Sequence, residues 1–301
     1  MKYSDQELLE LLKVDQKTLD RFKSIRQETI TELNQREQTE NKTIKVLGIS
    51  GSARGLYDMA QEESNSENLL KECLKKCEEL GAETEIVSLR DLNIKHCKAC
   101  YSTVNTQCHF YCSCYPKGTE QGDDMSNLLY DKILSADAII FATPVNNFKI
   151  SSLMSLFIDR CISLDGSLKP ANPDSPKDKE LNIKHLKFIQ LTADNDIPGS
   201  GFYRRFAGKI AGVIVTGHEE GASMAISTLF MTLNHFGMSF PPFSTMYAMS
   251  SVCVPTNEDK PRVLNNCYYT ETHLLAQNII NATNLAKQTK SSTWKNEYSS
   301  N

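Results

Sequence analysis

Five cysteines lie close together, in the order Cys97-x2-Cys100-x7-Cys108-x3-Cys112-x-Cys114. Thiolates at this spacing can fold around one metal centre. Four soft ligands suit an iron–sulfur cluster such as [4Fe–4S], or tetrahedral zinc. The same thiols can also be structural or redox-regulatory. If a centre is bound, Cys97 and Cys100 are the first ligands, then Cys108 and Cys112, with Cys114 as a substitute. His109 beside them reads as incidental. Cys73, Cys77 and Cys161 occupy apolar helix positions and read as core. A chain of 301 residues does not fit a small secreted disulfide framework, and none is expected.

A second group of residues suits an anion. Ser50-Gly51-Ser52-Ala-Arg54 follows a short apolar run, and Ser64-Asn65-Ser66-Glu67 opens a helical pattern. Small residues let the backbone approach a phosphate. The Ser52 and Ser66 hydroxyls can donate to its oxygens, and Arg54 offers a forked charge. The free N–H groups at a helix start favour the anion further. The loop is neither a Walker loop nor a GxGxxG turn. Two further segments hold polar groups for a ring system: Thr143-Pro144-Val145-Asn146-Asn147-Phe148 and Thr216-Gly217-His218-Glu-Glu-Gly221. Asparagines offer both donors and acceptors, and Phe148 can stack or fill the core.

These segments must be placed by alternating elements. Residues 4–33 read as helix, with Ser4 and Glu7 spaced as a capping box, and 34–43 as a polar linker. Strands are expected at 44–50, 84–89, 138–143, 210–216 and 243–249. The helices between them lie at 64–80, 123–134, 151–164 and 219–236, with a last one at 269–287. Ser64 and Glu67 have the spacing of a second capping box. Residues 166–208 hold most of the prolines and read as a long insertion. The pattern predicts an α/β flavodoxin-like three-layer sandwich with a five-stranded parallel sheet in the order 2-1-3-4-5. It divides into a helical N-terminal extension and linker (1–43), a flavodoxin-like α/β domain (44–287, with the cysteine-rich insert 97–114) and a polar tail (288–301). The three candidate loops then all follow carboxyl ends of strands, where such sheets bind ligands.

A net charge of −4 argues against a nucleic-acid surface. No apolar stretch approaches the roughly 18 residues of a membrane span, so no membrane partner is expected. The acidic, helical N-terminus is unlike a signal peptide, and a cytoplasmic location is expected.

GISGSAR, SNSENLL, DDM, ADAIIFATPVNNF, FIDR and VIVTGHEEG occur in the order found in NADPH-dependent FMN reductase-like proteins of the flavodoxin superfamily. The resemblance covers residues 44–250 and is closest to the iron–sulfur flavoprotein branch, where a compact four-cysteine motif follows strand two. It implies FMN phosphate at Ser52, Arg54 and Ser66, and ring contacts from Pro144 to Phe148 and near Thr216–Gly217. It also implies a homodimer or homotetramer. This chain departs from the pattern in three ways. GLYDMAQEE lengthens the phosphate loop, Asn146 stands where an aromatic is frequent, and the cysteine spacing is looser with a fifth thiol.

The expected function is an FMN-dependent oxidoreductase. It would pass electrons from NAD(P)H to a quinone, free flavin or similar acceptor, with the chemistry at the flavin and no catalytic side chain assigned. One alternative is an iron–sulfur flavoprotein exchanging electrons with a ferredoxin-like protein. A second is a non-enzymatic sensor or zinc-bearing interaction protein.

Overall fold

The computed structural model describes residues 3–289 apart from 39–42, 60, 104–106, 195, 218–220, 250–257, 259, 260 and 262–264. Five strands run parallel: β1 (Lys45–Ser50), β2 (Glu83–Ser88), β3 (Ala138–Asn146), β5 (Ile210–Gly217) and β6 (Thr245–Met249). Their order is β2-β1-β3-β5-β6, and a two-residue β4 (Lys149–Ile150) folds back antiparallel on β3. Counting parallel strands alone, this is the expected flavodoxin-like order. β1, β3 and β5 are almost wholly buried, which is why they read as unbroken apolar runs.

The helices are α1 (Asp5–Leu12), α2 (Gln16–Gln38), α3 (Asn65–Glu79), α4 (Cys100–Thr103), α5 (Tyr130–Ser135), α6 (Ser152–Cys161), α7 (Lys179–Thr192), α8 (Ala222–His235) and α9 (Asn266–Gln288). Side chains alternate between the two sheet faces. Leu47, Ile49, Phe141 and Val213 pack with Phe157 of α6 and Leu229 of α8. Val46, Ile140 and Ile214 pack on the other face with Leu70 and Leu74 of α3 and Leu275 and Ile279 of α9.

Several expected boundaries are corrected. The 4–33 helix is two helices: Lys13 adopts a left-handed conformation (φ 53°), and Asp15 accepts the Thr18 N–H at 2.8 Å to start α2. α2 also runs through the first half of the expected linker, to Gln38. Strand three continues to Asn146 rather than stopping at Thr143. The 166–208 segment holds a helix, α7, whose Phe188 and Ile189 pack against Leu8, Leu12, Leu19 and Phe22 of α1 and α2. Arg26 donates to Thr192 O at 3.0 Å, and Lys184 and Lys187 donate to the carbonyls of Lys13 and Leu11.

This arm reaches the cysteine segment. Phe110 N donates to Leu168 O, and Leu168 N donates to Cys108 O, so the insertion is laced to the thiol-bearing chain. Arg205, fully buried, donates to Glu32 of α2 and to Ser167, and stacks its guanidinium 4.1 Å from the Phe110 ring.

Candidate functional site

The carboxyl ends of β1, β3 and β5 carry the three candidate loops, and tertiary contacts join them. After β1, Gly51 N donates to Ala142 O of β3 at 2.7 Å. Ser151 Oγ, the cap of α6, donates to Gly51 O at 2.6 Å and accepts the Met154 N–H. Thr143 Oγ1 accepts the Ser151 N–H, so its side chain braces this junction. On the other side, a Cβ on Gly221 would lie 2.6 Å from Phe148 Cα. Only glycine permits the β5 loop to approach the β3 hairpin so closely.

Ser52, Ser64, Asn65 and Ser66 are all buried. Ser52 Oγ accepts the Arg54 N–H at 3.2 Å, and the Ser64 and Ser66 hydroxyls are 2.8 Å apart. Buried hydroxyls around the N-terminus of a fifteen-residue helix are the donor set an FMN phosphate requires, so the residues fit that group. The Ser50 hydroxyl donates to Glu67, in the first turn of the same helix, at 3.0 Å.

Pro144, Val145 and Asn146 lie in strand rather than loop. Asn147 and Phe148 form the two-residue turn between β3 and β4, at φ 49° and 63°. Positive φ at both central positions is the requirement of a type I′ hairpin. Asparagine tolerates it, but phenylalanine is held there at a cost of about 1 kcal/mol or more. Its ring is half exposed. Glycine would make the turn without strain. Thr216 is buried and Gly217 ends β5. His218 lies outside the described residues.

The cysteine segment also comes together. Cys114 Sγ is 3.7 Å from Cys100 Sγ. Hydrogen bonds from Cys108 and then Cys114 hold the Cys100 thiol far down, at about 2. Cys112 is held at about 6, first by Cys114 and despite burial, with the Arg160 charge assisting. Cys108 is pushed up by its hydrogen bond to Cys100 and by burial, and Cys114 by its bonds to Cys100 and Cys112. Burial pushes up Cys97, which feels the charges of Cys112 and Cys100. Among the described residues no group of three or more His, Cys, Asp or Glu is arranged to hold a single metal ion. An all-thiol donor set fits a multinuclear iron–sulfur centre, which spreads its ligands over several irons.

Beneath these thiols sits Arg160, which the FIDR motif carries but which sequence reading gave no role. It pairs with Asp123; both side chains are fully buried. Its Nη1 donates to Lys95 O at 2.9 Å, and its guanidinium lies 4.6 Å from the Tyr115 ring centroid. Asp123 also accepts the Lys95 and Ser126 N–H groups. Burial raises the Asp123 carboxyl, but these bonds outweigh it and the net shift is downward.

The sequence profile of the NADPH-dependent FMN reductases matches residues 44–250. The chain belongs to this family. An iron-sulfur flavoprotein of Archaeoglobus fulgidus is 32% identical over 120 residues, 40% of this chain and 51% of that protein. One from Methanosarcina thermophila is 29% identical over 121 residues, 40% of this chain and 54% of the other. The chain spans about half the length of the curated relatives it matches. Among solved structures, RosB with bound 8-demethyl-8-formylriboflavin-5'-phosphate superposes with a TM-score of 0.58 at 17% identity, covering 83% of this chain and 82% of that one. That likeness shows a shared flavodoxin-like fold. The name of the family joins FMN with NADPH. Among the described residues no helix is long and apolar enough to cross a membrane.

Proposed function

We propose that this FMN reductase takes electrons from NADH or NADPH and passes them to a small-molecule acceptor such as a quinone or free flavin. The observation that carries the reading is the joining of three strand-end loops through Ser151–Gly51 and Gly221–Phe148. Ser52, Ser66 and Arg54 would hold the FMN phosphate, and Ser64 and Asn65 would shape the helix start. Thr143 to Phe148 would line the ring on one side, and Thr216, Gly217 and Gly221 on the other. Bound FMN supplies hydride acceptance and electron delivery, while the protein orients the ring and tunes it by hydrogen bonds. Phe148, held at the turn, would screen the ring face from water. Residues 44–287 would be the FMN-binding domain, with 1–43 a helical extension and 288–301 a tail. The functional unit would be a cytoplasmic homodimer or homotetramer.

The test is reconstitution with FMN, followed by NADH and NADPH oxidation with a quinone present. Retained flavin absorbance and quinone-dependent turnover are expected. Failure to bind FMN would sink the reading.

The gathering of five thiols favours a second reading, an electron carrier that also holds a [4Fe–4S] centre and serves a ferredoxin-like partner. Cys97, Cys100, Cys108 and Cys112 would be its ligands, with Cys114 as substitute. Protein purified without oxygen should then contain about four irons and four sulfides per chain. Replacing Cys97 and Cys100 together by serine should remove the cluster absorbance and spare FMN. Stoichiometric zinc without sulfide would end this reading.

A further inference from the structure

Glu67 has the spacing of a capping-box residue, as Glu7 does. Glu7 completes its box, with its carboxylate accepting the Ser4 N–H at 2.7 Å. Glu67 completes only half. Its N–H reaches Ser64 Oγ at 3.4 Å, but its side chain turns inward and is buried. There Oε2 accepts from Ser50 Oγ at 3.0 Å, Ser88 Oγ at 3.3 Å and Arg90 Nη1. Oε1 accepts from Arg90 Nη2 at 3.0 Å and lies 3.5 Å from Lys71 Nζ. One carboxylate thus ties the ends of β1 and β2 to the first turn of α3. Arg90 grips it with both prongs of its guanidinium. The same side chain lies along the phosphate loop: a Cβ on Gly55 would be 3.7 Å from Arg90 Nε.

A carboxylate in the first turn of α3 shares that helix end with the site assigned to the flavin phosphate. Its charge repels a phosphate dianion unless it is cancelled nearby. We propose that Arg90, held against Glu67, is a positioning residue of the phosphate loop: it cancels the carboxylate charge that would otherwise oppose a phosphorylated flavin there, while an unphosphorylated flavin is indifferent to it. Arg90 cancels the Glu67 charge and walls the loop at Gly55. The inference rests on the FMN reading and adds two residues outside the expected site.

Riboflavin separates this role from a merely structural one, because it shares the ring and lacks the phosphate. Dissociation constants for FMN and riboflavin would be measured on the full chain and on Arg90→Met, Arg90→Lys, Glu67→Gln and the Arg90→Met/Glu67→Gln double variant. Wild type should prefer FMN. Arg90→Met should weaken FMN about tenfold or more and riboflavin by less than about twofold. Glu67→Gln should hold FMN at least as well as wild type. The double variant should recover most of the loss, because the uncompensated carboxylate is gone. If Arg90→Met does not fold, Arg90→Lys keeps the charge but loses the fork, and a smaller FMN-selective loss is expected from it. Equal losses for both flavins, or no loss for FMN, would overturn the positioning role while leaving the FMN reading intact. A wild-type chain that binds both flavins equally overturns the phosphate preference. One that binds neither overturns the FMN reading together with the pair.

Discussion

His185 should make the docking of the N-terminal arm sensitive to acid. It lies on α7 with 1% of its surface exposed, its ring 4.8 Å from Phe22 of α2 and 6.4 Å from Phe188. Its Nε2 is buried without a hydrogen-bond partner. Burial, with a smaller push from His109, lowers its pKa from 6.5 to about 4. The unfolded chain therefore takes up this proton first. Its contribution to stability is complete above pH 6.5 and is lost as pH falls toward 4. At about 1.4 kcal/mol per pH unit over that interval, the loss is about 3 kcal/mol. His109, itself lowered by burial, is the titratable group that acts on it. The assay is urea unfolding of wild type and His185→Leu between pH 7 and 4.5, with hydrogen exchange of α1, α2 and α7 followed in parallel. Wild type should lose stability relative to the variant as pH falls, with arm amides exchanging first. At pH 7 the variant should be at least as stable, because an unpaired buried nitrogen costs about 1–3 kcal/mol. A variant whose stability tracks wild type across the whole range would refute the assignment.

Three further outcomes are expected. Arg54→Ala should weaken FMN about tenfold by removing a charge-assisted contact, and an unchanged dissociation constant would take Arg54 out of the site. Phe148→Gly should relieve the turn and leave unfolding stability equal or up by about 1 kcal/mol, yet slow nicotinamide oxidation; full activity would show that the ring is idle. Asp123→Ala leaves Arg160 buried and unpaired, which should cost about 3–5 kcal/mol in denaturant unfolding; a loss below about 1 kcal/mol would mean that the pair does not brace the cysteine segment.

Much of the fold was readable because its signals are local. Strands such as Lys45–Ser50 and Ile210–Gly217 are buried on both faces, so burial is written as an unbroken apolar run. α3 shows its inward face at helical spacing, and its N-cap Ser64 stands where the sequence puts it. α7 was missed because only the packing of Phe188 against the arm gives its short apolar face a partner. The extension of β3 to Asn146 was missed because it depends on pairing, of Pro144 with β5 and of Val145 and Asn146 with β4, and pairing is not a local property.

Sequence by itself determined the sheet order, the positions of the three strand-end loops and the crowding of five thiols into one segment. Those follow from periodicity, from small residues and from cysteine spacing. Tertiary structure alone decided which of those residues act together. Glu7 and Glu67 have the same local spacing, yet one closes a cap on the surface and the other grips Arg90 beneath the phosphate loop. Arg160 gains its role from Asp123, distant in sequence. Gly221 matters through its approach to Phe148. The physical reason is common to all three: a side chain's partner is set by which strands lie side by side, and that is settled only when the sheet is assembled.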